Sequence, residues 1–422
     1  LRQALPAPVT ERPSFSFWAI LKNAIGQDLS RISVPVLFNE PTSMLQRMAE
    51  DMEFAELLDI AATRSSDSLE RTMWVAAWAM SNYSSTEGRV AKPFNPLLGE
   101  TFEYVRPDRE YRYVSEQVSH HPPISACHCD SPRYQFYAEV NVKSKLGLKG
   151  FDILPQGVSH VELKVQQPAG DGDSVKVITE HYSWKKVTTT VKGLITGSPW
   201  MDHHGDMIVT NHRTGDVVEL KFKEPGWLDS SSPQIIEGVA KDGSGRVCWE
   251  IYGKWSERLI ARRIPGVSPS SSSTSSPSLY SAKGPSSSSP TEALLLWRVP
   301  PSQKAGINPN GSHFRVTPFA ATLNDLPDKL RPYLCPTDSR FRPDQAMLEI
   351  GEYEKASSEK NRVEEKQRTK RKAPEEWKPR WFVKDVEADT NEPYWRFLDQ
   401  YWKEREDAVG NGGKWSNVDD IY

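Results

Sequence analysis

The sequence is poor in cysteine, and its few thiols do not form a recognisable framework. The chain has four cysteines, Cys127, Cys129, Cys248 and Cys335. Cys127 and Cys129 stand too close together for a CxxC zinc or redox motif, and no matching pair follows them. We therefore expect free thiols, as is usual for a protein of a reducing compartment.

Long apolar runs and an excess of positive charge are also missing. No apolar stretch reaches the roughly 18 residues of a membrane span, and the first residues lack the pattern of a secretory signal. The net charge of −3 argues against nucleic-acid binding through the overall field, so any bound anion must be held by a local cluster. The free thiols and the missing span and signal predict a soluble cytoplasmic domain, and the start at Leu1 instead of methionine suggests a fragment of a longer protein.

The sequence is rich in aromatic residues, and its first part shows the periodicity of a helix. Hydrophobic residues make up only 37% of the sequence, but 14 tryptophans supply enough large rings for a sizeable core. Residues 1–14 are rich in proline and are expected to be loose. After them, an amphipathic helical stripe is predicted from the spacing of Phe17, Trp18, Leu21, Ile25 and Leu29.

Two more helical stretches are predicted within 33–100. Thr42 or Ser43 is a candidate N-cap for the first of them. Their apolar positions are Met44, Leu45, Met48, Met52 and Leu58 in the first stretch, and Leu69, Met73, Ala76, Ala77 and Met80 in the second.

From about residue 101 the apolar period becomes that of a β-strand. Tyr111 and Tyr113 alternate with Arg112 and Val114, and similar alternations recur up to residue 265 between turns rich in glycine and aspartate. Many short strands at this spacing predict a large antiparallel sheet that curls into a barrel. A barrel of more than about ten strands has room for a ligand inside.

The remainder of the chain changes character twice. Residues 266–291 are nearly all serine and proline without an apolar period, which predicts a disordered loop. Within 292–422 we expect a strand over Ala293–Val299 and a long charged helix over roughly Gln345–Arg371. The Trp-rich segment after this helix is expected to wrap back over the barrel.

The most unusual string is Glu116–Pro123, which contains two adjacent histidines followed by two prolines. Proline fixes φ and favours an extended conformation in the residue before it, so His120 and His121 form a stiff pair at a strand end. Three interpretations stay open: an anion or phosphate site, a metal site that would need His203–His204 as well, and a structural corner. A catalytic serine is not indicated, because Ser119 lacks the glycines of G-x-S-x-G.

Two further segments could contribute to an anion site. Lys360, Glu364 and Arg368 are spaced to share one face of the charged helix, although a solvated helix with salt bridges is the ordinary explanation. Lys92–Glu100 contains two prolines and a glycine and is predicted to be a rigid loop. Its backbone N–H groups, Lys92 and Asn95 could bind an anion, and a plain structural loop is the alternative.

Taken together, these strings resemble the lipid-binding domain of the oxysterol-binding protein family. Glu116–Pro123 resembles the signature of that family, and Lys92–Glu100 resembles a second motif. The resemblance runs from about Phe15 to Tyr422, as one domain over 15–422. Other strings that match in order are His181–Thr190, Asn211–Asp216, Pro336–Arg340 and Glu364–Arg368.

The resemblance implies an all-β core with helices, in which a large, incompletely closed antiparallel β-barrel surrounds a lipid tunnel. An N-terminal lid over 15–32 would cover the tunnel, and C-terminal helices would flank the barrel. The lid would include Phe17, Trp18, Leu21 and Ile25, for which an ordinary core helix is the alternative.

The resemblance also implies that the tunnel mouth binds the head group of phosphatidylinositol 4-phosphate. Carried onto this sequence, His120, His121 and Arg368 would bind the 4-phosphate. The inositol ring and the bridging phosphate would be held by Lys92, Asn95, Lys360 and Glu364.

By this resemblance the protein is a lipid carrier, with no enzymatic activity, cofactor or metal. A sterol is expected ahead of phosphatidylserine as the second cargo, because Ser33–Pro41 resembles the general family version of this segment. The expected partners are membrane surfaces, contacted transiently where the endoplasmic reticulum meets the Golgi or the plasma membrane, and anchor proteins bound through upstream regions. A sensor that binds the lipid without transferring it and, more distantly, a hydrolase are the alternatives.

Overall fold

The computed structural model describes residues 1–7, 9, 35–146, 150–168, 175–194, 198–226, 233–265, 292–306, 312–370, 372, 377–416 and 418–422. Two predicted features lie outside these ranges: the lid stripe with Phe17, Trp18, Leu21 and Ile25, and the Ser/Pro segment over 266–291. Both stay predictions.

Helices stand at the two ends of the described chain and strands in its middle. The helices are α1 Met44–Ala49, α2 Glu56–Arg64, α3 Ser68–Ser81, α4 Pro301–Gly306, α5 Pro318–Thr322, α6 Pro343–Glu349, α7 Tyr353–Lys370 and α8 Gln400–Gly410. The strands are β1 Asn39–Ser43, β2 Lys92–Phe94, β3 Thr101–Arg106, β4 Tyr111–His120, β5 Pro123–Asp130, β6 Tyr134–Leu146, β7 Phe151–Pro155, β8 Val158–Pro168, β9 Val175–Lys185, β10 Thr188–Lys192, β11 Trp200–Asn211, β12 Val217–Phe222, β13 Ile235–Lys241, β14 Val247–Lys254, β15 Arg258–Arg263, β16 Ala293–Arg298, β17 Phe382–Val386 and β18 Pro393–Phe397.

A 14-stranded antiparallel sheet, β3 to β16, forms the body of the protein. Its main path runs from β3 through β4, β5, β6, β7, β10 and β11 to β16, and β8 and β9 bridge β6 to β11 beside it. Among the described residues β3 and β16 do not pair with each other, so the curled sheet is not closed into a complete ring. The predicted fold class is confirmed.

Helix α3 fills part of the space that the sheet encloses. All of its residues except Ser68 and Glu70 are buried, and Asp67 caps its first turn by accepting from two backbone N–H groups. The Trp78 ring packs edge-on against Phe136 of β6 and Trp184 of β9, at centroid distances of 5.0 and 5.7 Å. A helix that is buried on all sides belongs to the core, and it occupies part of the barrel interior.

The prediction of one continuous helix for the first helical stretch is wrong. Ser43, one of the two N-cap candidates, is the N-cap of α1. The stretch divides into α1 and α2, and a short 3-10 turn over Glu50–Met52 lies between them. The physical reason is a buried ion pair: Glu50 turns inward and accepts from Arg89 at 2.8 Å. The helical period of the sequence carries no sign of this partner.

The charged helix also differs from its prediction, because it is two helices, α6 and α7. The break lies at Gly351, whose φ of +81° is the left-handed conformation that ends helices. Residues 1–7 and 9, expected to be loose, are packed beside this break. Leu5 and Val9 are buried in a cluster with Leu348 and Ala356, so their apolar side chains outweigh the effect of the prolines.

The C-terminal segment covers the outer face of the first strands, in agreement with the predicted wrapping. Trp381, Tyr401 and Trp402 form a buried cluster with Val114 and Ala126 of β4 and β5. None of the helices in the described part of the chain is long and apolar enough to span a bilayer.

Candidate functional site

The segment Lys92–Glu100 starts as a strand, which corrects the prediction of a loop over its whole length. Its first three residues form β2, which pairs in parallel with β1. The Asn39 side chain donates to the carbonyls of Lys92 and Pro93 at 3.1 and 3.3 Å and fixes the strand end. Lys92 is half-buried and lines the internal cavity described below.

The rest of this segment wraps around one guanidinium, that of Arg342. The Arg342 group lies 5.1 Å from the Phe94 ring centroid and donates to the Asn95 carbonyl at 2.9 Å. It also binds the Glu100 carboxylate at 2.8 Å and Asp344 at 2.9 Å. A single buried cation therefore sets the conformation of the segment that carries Lys92 and Asn95, and the Asn95 side chain stays exposed.

The charges in this anchor support one another. Burial raises the pKa of Glu100, against the opposing charge of Arg342 and a hydrogen bond from Ser339. Burial works to lower the pKa of Arg342, but the negative charges of Asp344 and Glu100 outweigh it and raise that pKa. The guanidinium thus stays charged, and breaking the cluster would leave buried charge without a partner.

Helix α7 packs against the same segment. Its buried residues are Ala356, Lys360 and Val363, which share one face. Ala356 belongs to an apolar cluster with Phe94, and Val363 packs with Leu97. Lys360 lies between these two residues on the same buried face of the helix.

The charged residues of α7 form the i,i+4 series expected from their spacing. The Lys360 Nζ donates to Glu364 Oε1 at 2.6 Å, and Arg368 lies 3.5 Å from Glu364 Oε2 and 2.7 Å from Glu365. Lys360 is buried and Arg368 is exposed, so the series runs from the interior to the surface.

The histidine pair lies at the turn between β4 and β5. His120 ends β4 and pairs with Pro123, and the rings of His120 and His121 are 4.6 Å apart. Two backbone hydrogen bonds join this strand end to the Lys92–Glu100 segment. The Gly99 N–H donates to the Gln117 carbonyl at 3.1 Å, and the Gln117 N–H donates to the Glu100 carbonyl at 2.9 Å. His121 is exposed and His120 half-buried, as a group that meets a ligand at the surface requires.

The chain that follows α7 crosses the same corner. The Trp377 ring lies against Gly99, 3.2 Å from where a Cβ would stand, and Gly99 has a φ of +78° that favours glycine. Further on, the backbone N–H groups of Arg380 and Trp381 donate to the Glu116 carboxylate at 2.9 and 3.0 Å. Burial raises the pKa of Glu116 to about 7. The middle of α7 with the chain that follows the helix, the segment Lys92–Glu100 and the end of β4 therefore meet in one region, which we call the cationic corner.

A metal at the histidine pair is not supported by the other histidines considered for it. His203 lies on β11 inside the sheet, where Thr86 and Thr189 bind its two ring nitrogens at 2.7 and 2.9 Å. Burial, with the charge of Arg47, lowers the pKa of His203 to about 3, so its ring is neutral. His204, on the same strand as His203, contacts the Thr190 hydroxyl and the Glu224 carboxylate.

A mostly apolar cavity of about 350 Å³ reaches the cationic corner at Lys92. Its polar lining includes Asp51, held by Lys186 at 2.8 Å and by the Asn82 amide. Its apolar lining comes from the N-terminal part of the chain and from β6, β7, β10 and β11, through Phe38, Met44, Met48, Val140, Val142, Phe151, Ile153, Val191, Leu194 and Met201.

Sequence reasoning missed Arg342 and the cavity lining. Arg342 and Glu100 are 242 residues apart, and no local pattern marks two such residues as partners. The alternation of β6 indicates which residues face inward, but not which of them border an empty space. Of the predicted site residues that the structure describes, only Lys92 belongs also to the cavity wall.

Comparisons with known proteins agree with this architecture. The family model described as oxysterol-binding protein matches residues 16–406. Oxysterol-binding protein homolog 2 of Saccharomyces cerevisiae is 44% identical over 96% of this chain and 31% of its own length. Oxysterol-binding protein-related protein 6 of Homo sapiens is 39% identical over 96% of this chain and 39% of its own length. The chain thus spans about a third of the length of these two relatives.

Two solved structures are similar over the whole chain. A crystal structure of the Osh1 ORD domain in complex with cholesterol superposes with a TM-score of 0.85 at 40% identity, covering 100% of this chain and 94% of that one. The Osh3 ORD of Saccharomyces cerevisiae in complex with PI(4)P superposes with a TM-score of 0.77 at 27% identity, covering 100% and 99%. The chain belongs to the oxysterol-binding protein family.

Proposed function

We propose that this chain binds phosphatidylinositol 4-phosphate, with its acyl chains in the apolar cavity and its head group at the cationic corner, and carries it between membranes. The observation that carries the proposal is the position of Lys92, which belongs to the cavity wall and to the segment that packs against the helix of Lys360. A lipid that entered the cavity would leave its polar end beside these two cations.

The chemistry of the corner suits a phosphorylated inositol. His120, His121 and Arg368 supply donors for the 4-phosphate, while Lys92, Asn95, Lys360 and Glu364 suit the ring hydroxyls and the bridging phosphate. Charge-assisted hydrogen bonds are shorter and stronger than neutral ones, so a phosphate gains more here than a neutral head group. The complex of the similar Osh3 ORD with PI(4)P supports this assignment.

The cavity has to replace the bilayer as the environment of the lipid chains. Withdrawal from a membrane costs about 0.8 kcal/mol for each exposed CH₂ group. Apolar residues such as Met48, Val142 and Phe151 offset this cost by covering the chains. Carrier activity without any chemical step follows from such an arrangement, and the chain is proposed to act without catalysis.

A sterol is the proposed second cargo. The complex of the similar Osh1 ORD domain with cholesterol supports this choice. Within this cavity the Asp51–Lys186 pair offers a hydroxyl group a polar partner in otherwise apolar surroundings. A protein that exchanges two lipids through one cavity would act transiently at membrane surfaces, for which we propose the contact sites of the endoplasmic reticulum with the Golgi or the plasma membrane.

The direct test is extraction of labelled phosphatidylinositol 4-phosphate from vesicles. The double variant His120→Ala, His121→Ala and the variant Lys360→Ala are expected to lose extraction by at least about tenfold, since each removes a charge-assisted contact. Arg362→Ala is the matched control: Arg362 is a cation of the same helix that pairs with Glu359 on its exposed face, and this variant should extract at the wild-type rate. Unchanged extraction by the double histidine variant would refute the head-group assignment.

Transfer and the second lipid need separate measurements. Movement of the labelled lipid from donor to acceptor vesicles, many molecules per protein, is expected of a carrier, whereas saturable binding with negligible transfer would identify a sensor. Native mass spectrometry after incubation with mixed vesicles should find one lipid per protein, either the phosphoinositide or the sterol. Recovery of the phosphoinositide alone would remove the sterol from the proposal.

A further inference from the structure

A row of stacked rings crosses the outer face of the barrel. Neighbouring ring centroids of His128, Tyr137, His160, His181 and His212 are 6.5, 4.8, 5.3 and 4.8 Å apart. The rings come from β5, β6, β8, β9 and the end of β11. The hairpin β17–β18 lies on this row, with Phe397 stacked on His128 at 4.9 Å and Tyr394 5.4 Å from Tyr137.

In the middle of the row, two imidazole nitrogens are very close. His160 Nδ1 and His181 Nε2 are 3.1 Å apart, and both residues are buried. Two ligand atoms at this separation subtend roughly 98° at a metal placed about 2.05 Å from each, an angle between the octahedral and the tetrahedral values. The pair is thus spaced as two ligands of one ion.

The hairpin adds carboxylates to this pair. Glu387, which directly follows β17, is buried, and its ligand atom lies within 4.8 Å of those of both histidines. Its Oε2 accepts from the N–H groups of Asp389 and Thr390 at 3.0 and 2.8 Å. The other oxygen, Oε1, lies 3.8 Å from His181 Nδ1 and is the one left for an ion. Among the described residues, this is the group of three whose donor atoms are close enough to hold a metal.

Asp389 gives the group an outer partner. Its Oδ2 lies 2.6 Å from His181 Nδ1, which assigns the proton to Nδ1 and leaves the Nε2 lone pair directed at His160. Such a carboxylate behind a histidine is the usual second layer of a zinc site, where it orients the ring and makes it more basic. For His160 to bind through Nδ1, its proton moves to Nε2, a buried atom that has no hydrogen-bond partner among the described residues, and no net proton is released.

We propose that His160, His181 and Glu387 bind a divalent transition-metal ion of the zinc class, with Asp389 orienting His181. Imidazole and carboxylate donors suit Zn²⁺ and exclude the softer ions that need thiolates. The ion would join β8 and β9 of the barrel wall to the hairpin β17–β18, and through it to the chain that crosses the cationic corner. The sites considered from the sequence were His120–His121 and His203–His204, and neither is part of this one.

The test uses the full chain after treatment with a chelator, titrated with ZnCl₂ in a calorimeter. We expect one Zn²⁺ per chain and a higher thermal midpoint with zinc, because an ion that binds the folded state stabilises it. Glu387→Gln and His181→Gln should weaken binding by more than about tenfold, and Asp389→Asn by about tenfold. If His181→Gln fails to fold, Glu387→Gln decides, since its side chain belongs to the covering hairpin.

The double variant His120→Ala, His121→Ala serves as the control and should bind zinc as the wild type does. Loss of zinc binding in this control, or undiminished binding in Glu387→Gln, would overturn the proposal. A wild-type chain that takes up less than one equivalent at micromolar zinc would overturn it as well. Zinc binding weakened by about tenfold in Asp389→Asn would confirm the orienting role of that carboxylate.

Discussion

At the scale of single residues, Glu53 is a buried carboxyl group whose environment disfavours a negative charge. It is buried beside Glu50, and its Oε2 has no hydrogen-bond partner among the described residues. Burial, followed by the negative charge of Glu50, raises the pKa of Glu53 to about 8. The side chain is therefore protonated in the folded protein at neutral pH, while in the unfolded chain it is ionised.

This difference predicts a pH dependence of stability. Between pH values near 4.5 and 8 the folded state holds a proton that the unfolded state has lost, so the free energy of unfolding falls as pH rises through this window and levels off above it. Glu53→Gln cannot ionise and should lose this part of the slope. The Tm difference between pH 5 and pH 8.5, measured by calorimetry, should then be several degrees smaller than in the wild type. An identical pH profile for both proteins would show that Glu53 ionises normally.

At the scale of elements, the cationic corner depends on how Arg342 joins three parts of the chain. It holds Asn95 and Glu100 beside the start of α6 through Asp344. Arg342→Met would leave two buried carboxylates without a counter-charge, and such a change costs about 3–5 kcal/mol. Urea denaturation should show this loss, together with weaker lipid extraction because Lys92 and Asn95 lose their support.

An arginine on the surface provides the comparison. Arg246 pairs with Asp242 at 2.9 Å in an exposed turn, and Arg246→Met is expected to leave the denaturation midpoint nearly unchanged. Equal effects of the two substitutions would contradict the role assigned to the buried cluster.

Helices and strands could be predicted from the sequence where one of their faces packs on the core. The alternation at Tyr111 and Tyr113 correctly predicted β4, and the capping residue Ser43 was among the two candidates. β1 and β2 were missed because strands of five and three residues that contain prolines have no alternation to detect. The break at Gly351 was missed because a single glycine in a charged helix can be either interior or terminal until its φ is known.

The residues of the proposed site stand out in the sequence, but their assembly does not. Residue types and a family resemblance led to the proposal of His120, Lys92 and Lys360. Their meeting depends on Leu97 packing against Val363 and on Trp377 lying over Gly99, which are contacts between distant parts of the chain. The cavity depends on the volume left between α1 and the sheet, a quantity that no local pattern contains.

At the scale of the whole molecule, the cavity and the cationic corner should be separable. Val142 lines the cavity from β6, and Val142→Trp would place a large ring in the space proposed for the acyl chains. Overpacking of this kind costs about 1–3 kcal/mol, so lipid extraction should fall by about tenfold or more. Binding of soluble inositol phosphates to the corner should not change, and calorimetry can measure it.

The control for this variant is Val175→Trp, at a valine of β9 that is 61% exposed. It should extract lipid normally. If Val142→Trp extracts as well as this control, the cavity is not where the chains lie.

The N-terminal helices are also held by residues that are made much later. Gln46 donates to Asn324 and accepts from Gln345, and Ser43 bonds Ser339 at 2.9 Å, across separations of 278, 299 and 296 residues. At about 5–20 residues per second, roughly 15 to 60 s pass on the ribosome between the synthesis of these partners. During that time the apolar sides of α1 and α3 have no complete sheet to pack against. Helix α7, which completes the cationic corner, is made later still. A nascent chain of this protein thus exposes apolar surface for tens of seconds, and the proposed lipid site is incomplete until α7 has been made.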